Sequence, residues 1–87
     1  MILTKEQADE LEKKSSPVKY LDVGERIHKA RKAKRITQMK LAEMLGIDYS
    51  EMSNIEHGRK LPTSEELVKL EEILGVKRRW IVLGEDD

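Results

Sequence analysis

Three consecutive stretches of this chain, residues 37–46, 48–58 and 63–75, each open on a helix-capping side chain and close on a glycine. The opening Thr or Asp can accept a hydrogen bond from the free amides at a helix N-terminus. The closing glycine can take the left-handed conformation that ends a helix. Apolar residues recur every three or four positions, and the alternation typical of strands is absent. The chain is therefore predicted to be all-α and built from short helices.

Within residues 22–84, one further helix is predicted before these stretches and another after them. The earlier helix is expected to begin with Asp22 as its cap and Glu25 in capping-box position, and to close at residues 34–35. The later helix is short and contains Trp80. Apolar side chains on the inner helix faces are predicted to form the core: Val23, Ile27, Ala30, Leu41, Ala42, Leu45, Met52, Ile55, Leu67, Leu70, Ile73 and Leu74.

The residues before Asp22 form a separate region in this prediction. Thr4 can cap a short helix that has Gln7 in capping-box position, and the Ser-Ser-Pro sequence at residues 15–17 ends it. We therefore divide the chain into three parts. They are an N-terminal extension with a short helix and linker (1–21), a helical domain (22–84) and an acidic tail (85–87).

The composition excludes several classes of protein. With 87 residues the chain has the length of one small domain, and its lack of cysteine excludes disulfides, zinc–thiolate sites and thiol nucleophiles. His28 and His57 are too isolated to form a metal site or an acid–base pair. No phosphate-binding loop or nucleophile–base set is present, so we expect neither an enzyme nor a cofactor. No long apolar run occurs, so we expect a cytoplasmic protein and no membrane partner.

Charge is balanced in total but uneven along the chain. The 17 basic and 17 acidic side chains give a net charge of zero, which argues against strong nonspecific binding to nucleic acids. Between residues 24 and 40, however, only Glu25 is acidic. The basic residues of this stretch are Arg26, Lys29, Arg31, Lys32, Lys34, Arg35 and Lys40. The folded molecule is expected to have one basic side.

Residues 37–57 combine two short helices into one constellation. Ala42 is small enough to let the two helices cross closely, Gly46 reverses the chain, and Ile47 fills the space beneath the turn. The stretch 36–62, ITQMKLAEMLGIDYSEMSNIEHGRKLP, closely resembles the Cro/phage-repressor (xenobiotic-response-element, XRE) helix-turn-helix family. The resemblance extends from about Val23 to Gly84. It implies a compact five-helix lambda-repressor-like domain that binds double-stranded DNA.

The resemblance also assigns roles by position. The positions that read DNA bases are matched by Tyr49, Ser50 and Asn54, and Ser53, which borders the same face, is expected to read bases with them. Four more match positions that contact the DNA backbone: Gln38, His57, Arg59 and Lys60. Gln38 is further expected to brace the second motif helix. Arg31 and Glu56 match a structural ion pair of the family.

The chemistry of the second motif helix agrees with these roles. Asn54 can pair with adenine through two hydrogen bonds, and Ser50 shares its face one turn away. Asp48 and Glu51 put negative charge at the start of the same helix, where it suits the helix dipole but repels phosphate. Glu51 also has the chemistry to accept from a cytosine amino group, although a capping role is the simpler one. We therefore expect selective DNA binding with weak nonspecific affinity.

The leading hypothesis is a sequence-specific transcriptional regulator of bacterial or phage origin, acting as a repressor. It would bind a palindromic operator as a homodimer. The apolar surface expected to join the two copies consists of Ile73, Leu74, Trp80 and Leu83. Two alternatives remain open. One is an antitoxin that also represses its own promoter and contacts a protein partner through the N-terminal extension. The other is a protein-interaction adaptor with little DNA binding, favoured by the zero net charge and by the acids Asp48 and Glu51.

Overall fold

A computed structural model describes residues 20–85 of the chain. Within that range the chain forms helices and no strand. The helices are α1 (Leu21–Ala33), α2 (Gln38–Leu45), α3 (Tyr49–Glu56), α4 (Ser64–Leu74) and α5 (Arg78–Leu83). The predicted all-α class with five short helices is confirmed. The additional helix predicted near Thr4 lies outside the described residues.

Three of these helices begin and end where the predicted caps and glycines lie. The Thr37 hydroxyl and an Asp48 carboxylate oxygen each accept from the backbone amide three residues further on, at 3.1 and 2.7 Å. Thr63 and Glu66 form a complete capping box at the start of α4. The glycines that follow α2 and α4 are left-handed, with φ of 75° and 67°. The predictions for these boundaries are confirmed.

The start of α1 differs from the prediction. The helix begins at Leu21, and Tyr20 holds the cap position without a side-chain capping bond, so the prediction that Asp22 is the cap is wrong. Asp22 lies in the first turn, where its carboxylate still suits the positive end of the helix dipole. A tertiary contact holds the helix start, because the Tyr20 amide donates to the Gly58 carbonyl at 3.3 Å.

The core is formed by the inner faces of all five helices. Its least exposed large side chains are Ile27, Leu41, Met52, Ile55, Leu70 and Ile81. The remaining buried apolar residues are Val23, Ala30, Ala42, Leu45, Leu67 and Leu74. Ile73 was predicted in this set but is only half-buried against its edge. Burying one large apolar side chain stabilises the fold by about 1.5–3 kcal/mol. The core therefore holds α2 and α3 firmly against α1 and α4.

Two glycines allow the start of α1 to pack against the end of α3. A Cβ on Gly24 would lie 2.4 Å from the Glu56 carbonyl oxygen, and one on Gly58 would lie 2.6 Å from the Leu21 Cα. Gly58 also has a φ of 78°, which residues with a Cβ rarely adopt. Gly24 lies inside a helix, where glycine lowers the stability of the helix by about 1 kcal/mol relative to alanine. Close backbone contact between α1 and α3 offsets that cost and fixes the direction of α3.

The last helix, α5, packs back against α1. Ile81 is fully buried, and the Arg26 guanidinium donates to its carbonyl oxygen at 3.1 Å. In the part of the chain that the structure describes, no helix combines the length and apolar character required to cross a membrane.

Candidate nucleic-acid interface

Helix α3 has one buried apolar face and one solvent-facing polar face. Met52 and Ile55 are fully buried. On the other side, Tyr49 and Ser50 are exposed, and Asn54, one turn after Ser50, is half-buried. An α-helix fits the major groove, where each base pair presents a distinct pattern of donors and acceptors. A helix anchored on one side and polar on the other is suited to reading that pattern.

Two of the predicted base-reading residues already have partners in the loop that follows α3. The Ser53 hydroxyl lies 3.2 Å from Nδ1 of His57, and the same ring nitrogen lies 2.7 Å from the Ser53 carbonyl oxygen. The carboxamide oxygen of Asn54 accepts from an Arg59 guanidinium nitrogen at 3.4 Å. His57 and Arg59, predicted to contact the DNA backbone, thus lie beside the polar face of α3.

The carboxylate of Glu56, the last residue of α3, gathers side chains from two other helices. From α1, Arg31 donates through Nε to Oε2 at 2.7 Å and through Nη2 to Oε1 at 3.1 Å. His28, also on α1, has its Nδ1 3.0 Å from Oε1, and Gln38 of α2 donates to that oxygen at 3.1 Å. We call these four residues the Glu56 cluster. It joins the end of α3 directly to α1 and α2.

The carboxylate of Glu56, at the centre of the cluster, is buried but electrostatically satisfied. The Glu56 side chain is only 3% exposed, and burial by itself raises its pKa because desolvation disfavours the charged form. Hydrogen bonds from Arg31, His28 and Gln38, together with the Arg31 charge, outweigh burial and hold the pKa below its ordinary value of 4.5. Glu56 is therefore ionised at neutral pH. Arg31 also donates to the Ile36 carbonyl at 2.8 Å, which ties the loop before α2 to the same cluster.

The cluster includes residues that the sequence identified and one that it did not. Arg31 and Glu56 lie together as the family resemblance implies, and Gln38 braces α3 through its bond to Glu56. His28 was set aside as an isolated histidine. Its position three residues before Arg31 on the same helix was the available signal, because residues at that spacing are neighbours on a helix surface.

The acidic start of α3 is arranged differently from the sequence prediction. Asp48 caps the helix as expected, but the carboxylate of Glu51 accepts from the Lys60 ammonium group at 2.8 Å. Both side chains are about two-fifths exposed, at 38% for Glu51 and 40% for Lys60. The hydrogen bond to Glu51 raises the pKa of Lys60. A basic residue predicted to bind phosphate and an acidic residue expected to repel it are therefore one ion pair.

The surface predicted to join two copies is only partly available. Leu74 is 2% exposed and packs within the chain's own core, so it has no free surface to offer a second copy. Ile73 and Trp80 are half-buried, whereas Leu83 is 60% exposed. Leu83 borders an apolar groove between α4 and α5. The residues lining this groove are Leu67, Arg78, Arg79, Val82 and Leu83.

Helices α2 and α3 are short and are joined by a turn at Gly46. The second is anchored on one side and polar on the other. This arrangement defines the helix-turn-helix class of DNA-binding protein. A family model described as "Helix-turn-helix domain" matches residues 24–87. The chain therefore belongs to this helix-turn-helix domain family.

Individual curated proteins are also similar to this chain. HTH-type transcriptional regulator DicA of Escherichia coli (strain K12) is 38% identical over 69 residues, covering 79% of this chain and 51% of that protein. Multiprotein-bridging factor 1 of Debaryomyces hansenii is 41% identical over 71 residues, covering 79% of this chain and 47% of that protein. This chain thus spans about half the length of these relatives. None of these names describes an enzyme.

A solved structure shows the same fold. The P22 c2 repressor, crystallised in complex with a synthetic operator, matches with a TM-score of 0.68 and 30% identity, covering 72% of this chain and 96% of that one. The predicted resemblance to phage repressors and the lambda-repressor-like fold are confirmed by this match and by the relation to DicA.

Proposed function

We propose that this protein is a sequence-specific, double-stranded DNA-binding transcriptional regulator that acts as a repressor and uses α3 as its recognition helix. The observation that carries the proposal is the geometry of α3. Its apolar face is fully buried, its polar face is open, and the Glu56 cluster fixes its direction relative to α1 and α2. The P22 c2 repressor, similar over 72% of this chain, was crystallised with an operator.

In the proposed complex the polar face of α3 reads base edges. Asn54 pairs with adenine, Ser50 donates or accepts one turn away, and the Tyr49 ring contacts a thymine methyl group. Arg59 and the N-terminus of α2 contact phosphates, which position the protein without reading sequence. Repression follows from occupying DNA that the polymerase needs.

We further propose that two copies bind a palindromic operator. One helix-turn-helix covers few base pairs, and two half-sites about 34–36 Å apart give the specificity that one lacks. The apolar groove between α4 and α5 and the exposed Leu83 beside it supply the surface that the second copy covers.

Selection from random duplexes tests the proposal. The purified protein is mixed with random duplex DNA at about 50 mM salt, where phosphate contacts bind most strongly. Bound DNA is then sequenced over several rounds. We expect a two-fold symmetric consensus whose affinity falls steeply with added salt. Failure to enrich any sequence would overturn the proposal.

A protein-bridging function is the second candidate, supported by the 41% identity to multiprotein-bridging factor 1. In that function, the helical domain binds a protein partner in place of DNA. The same selection separates the two functions. A bridging protein enriches no sequence and stays free of duplex DNA even at about 50 mM salt, where phosphate contacts are stronger than at physiological salt.

A further inference from the structure

The Glu51–Lys60 ion pair lies at the edge of the α3 polar face. Glu51 follows Ser50 directly and precedes Asn54 by three residues, so its side chain emerges on the Asn54 side of that face. Lys60 comes from the loop after α3, and its ammonium group lies 2.8 Å from Oε1 of Glu51. Both side chains keep enough exposed surface to contact a ligand.

Pairing with Lys60 removes the main objection to an acid at this position. An unpaired carboxylate facing DNA repels phosphate. The ammonium group of Lys60, 2.8 Å from the Glu51 carboxylate, offsets that negative charge and so weakens the repulsion. An ionised carboxylate has about four acceptor sites on its two oxygens. Glu51 can therefore accept from Lys60 and from a second donor at the same time.

The exposed donors of the major groove are the amino groups of cytosine and adenine. Adenine presents an acceptor nitrogen beside its amino group, which repels a carboxylate, whereas the cytosine edge presents the donor alone. A paired carboxylate at the edge of a recognition helix is therefore matched to cytosine.

We propose that Glu51 is a further specificity-determining residue, which accepts a hydrogen bond from a cytosine amino group in the major groove. Lys60 is its positioning residue: it holds the carboxylate and cancels its charge. This inference rests on the proposed DNA-binding function. The Arg59–Asn54 contact is a parallel case, since a basic residue of the same loop holds another side chain of the polar face.

The test compares the sequences selected by the wild-type protein, Glu51→Ala and Glu43→Ala. Glu43 is the matched control, because it is an exposed acid paired with a lysine, at 3.8 Å from Lys40, on α2 and not on α3. Circular dichroism and the thermal midpoint establish that each variant is folded. We expect the wild-type protein and Glu43→Ala to enrich cytosine at one position in each half-site. In Glu51→Ala that single preference is lost, and the affinity ratio of cytosine over thymine there falls from about tenfold to near one.

Variants of Lys60 test the positioning role separately. Lys60→Arg keeps the ion pair and should keep the cytosine preference. Lys60→Gln releases the carboxylate, so the preference for cytosine should weaken at that one position. A lost phosphate contact would instead lower the affinity for all sequences equally. If Lys60→Gln lowers the affinity for all sequences equally and leaves base preferences unchanged, the positioning role is overturned.

The two proposals fail in different ways. A wild-type protein that enriches no sequence overturns the DNA-binding function and this inference together. A wild-type consensus that reappears unchanged in Glu51→Ala overturns the role of Glu51 alone.

Discussion

The two glutamates of α3 face opposite environments although they are five residues apart. Each accepts from a basic side chain at close range, 2.7 Å between Glu56 and Arg31 and 2.8 Å between Glu51 and Lys60. The Glu56 side chain is 3% exposed, whereas that of Glu51 is 38% exposed. Solvent screens an exposed pair and makes its contribution to stability small, whereas breaking a buried pair leaves an uncompensated charge. The buried Glu56–Arg31 pair at the end of α3 therefore stabilises the fold, whereas the exposed Glu51–Lys60 pair at its start is accessible to a ligand.

Removing Glu56 should produce the largest loss of stability. Glu56→Ala leaves the guanidinium of Arg31 buried without its carboxylate, a change that costs about 3–5 kcal/mol. Urea denaturation followed by circular dichroism measures the free energy of unfolding. Glu51→Ala is the matched control and should leave that free energy nearly unchanged. Equal losses in the two variants would contradict the contrast between the two glutamates.

The charge of Glu56 should contribute about 2 kcal/mol to the free energy of unfolding, which is the usual contribution of a hydrogen bond to a charged group. Glu56→Gln keeps the size of the side chain and removes the charge. Because the folded-state pKa of Glu56 lies below the ordinary value of 4.5, its ionised form stabilises the fold above that pH. This contribution is lost as the pH falls through the lower folded-state value.

Unfolding of the wild-type protein and Glu56→Gln is therefore compared from neutral pH down to about pH 3, which lies below the ordinary carboxylate pKa. The difference in the free energy of unfolding between the two proteins should shrink as the pH falls. A difference that stays constant over this range would show that the charge of Glu56 is not what stabilises the cluster.

Substituting Gly24 tests the backbone contact beneath the Glu56 cluster. Gly24→Ala places a Cβ 2.4 Å from the Glu56 carbonyl oxygen, and the forced separation of α1 and α3 should cost about 1–2 kcal/mol net of the better helix propensity. Thermal unfolding measures the effect, with Glu25→Ala on the exposed side of α1 as control. A variant as stable as the control would mean that α1 and α3 separate without penalty.

Substituting Asn54 should change stability least and base preference most clearly. Asn54→Ala on a partly exposed position should keep the free energy of unfolding within about 0.5 kcal/mol. It should also remove the preference at one base position of the selected operator, worth about 1–3 kcal/mol, while nonspecific affinity falls only modestly. Competition binding with the matched and mismatched duplexes measures the base preference. An unchanged preference would show that Asn54 does not read a base.

The parts of the fold that could be predicted from sequence are the local ones. Thr37, Asp48 and Thr63 cap helices through amides only three residues away, so the pattern that predicts them is nearly the whole interaction. The prediction that Asp22 caps α1 was wrong because the start of that helix is not set by a local contact. The start of α1 depends on Gly58, which is distant in the chain.

The candidate site follows the same division. The pairing of Arg31 with Glu56 was reached only through the family resemblance, because no local pattern joins residues 25 positions apart. The need for glycine at position 24 and the contact between Glu51 and Lys60 follow from how α1 and the loop after α3 pack. Composition and periodicity carry no information about such pairings.

The Glu56 cluster shares no residue with Tyr49, Ser50 and Asn54 on the polar face of α3. The residues that hold the helix and the residues that face outward can therefore mutate independently. If α3 reads DNA as proposed, descendants of this protein can acquire new operators by exchanging a few outward side chains while folding as before. The same independence makes the outward face a natural target for engineering new DNA specificities on an unchanged scaffold.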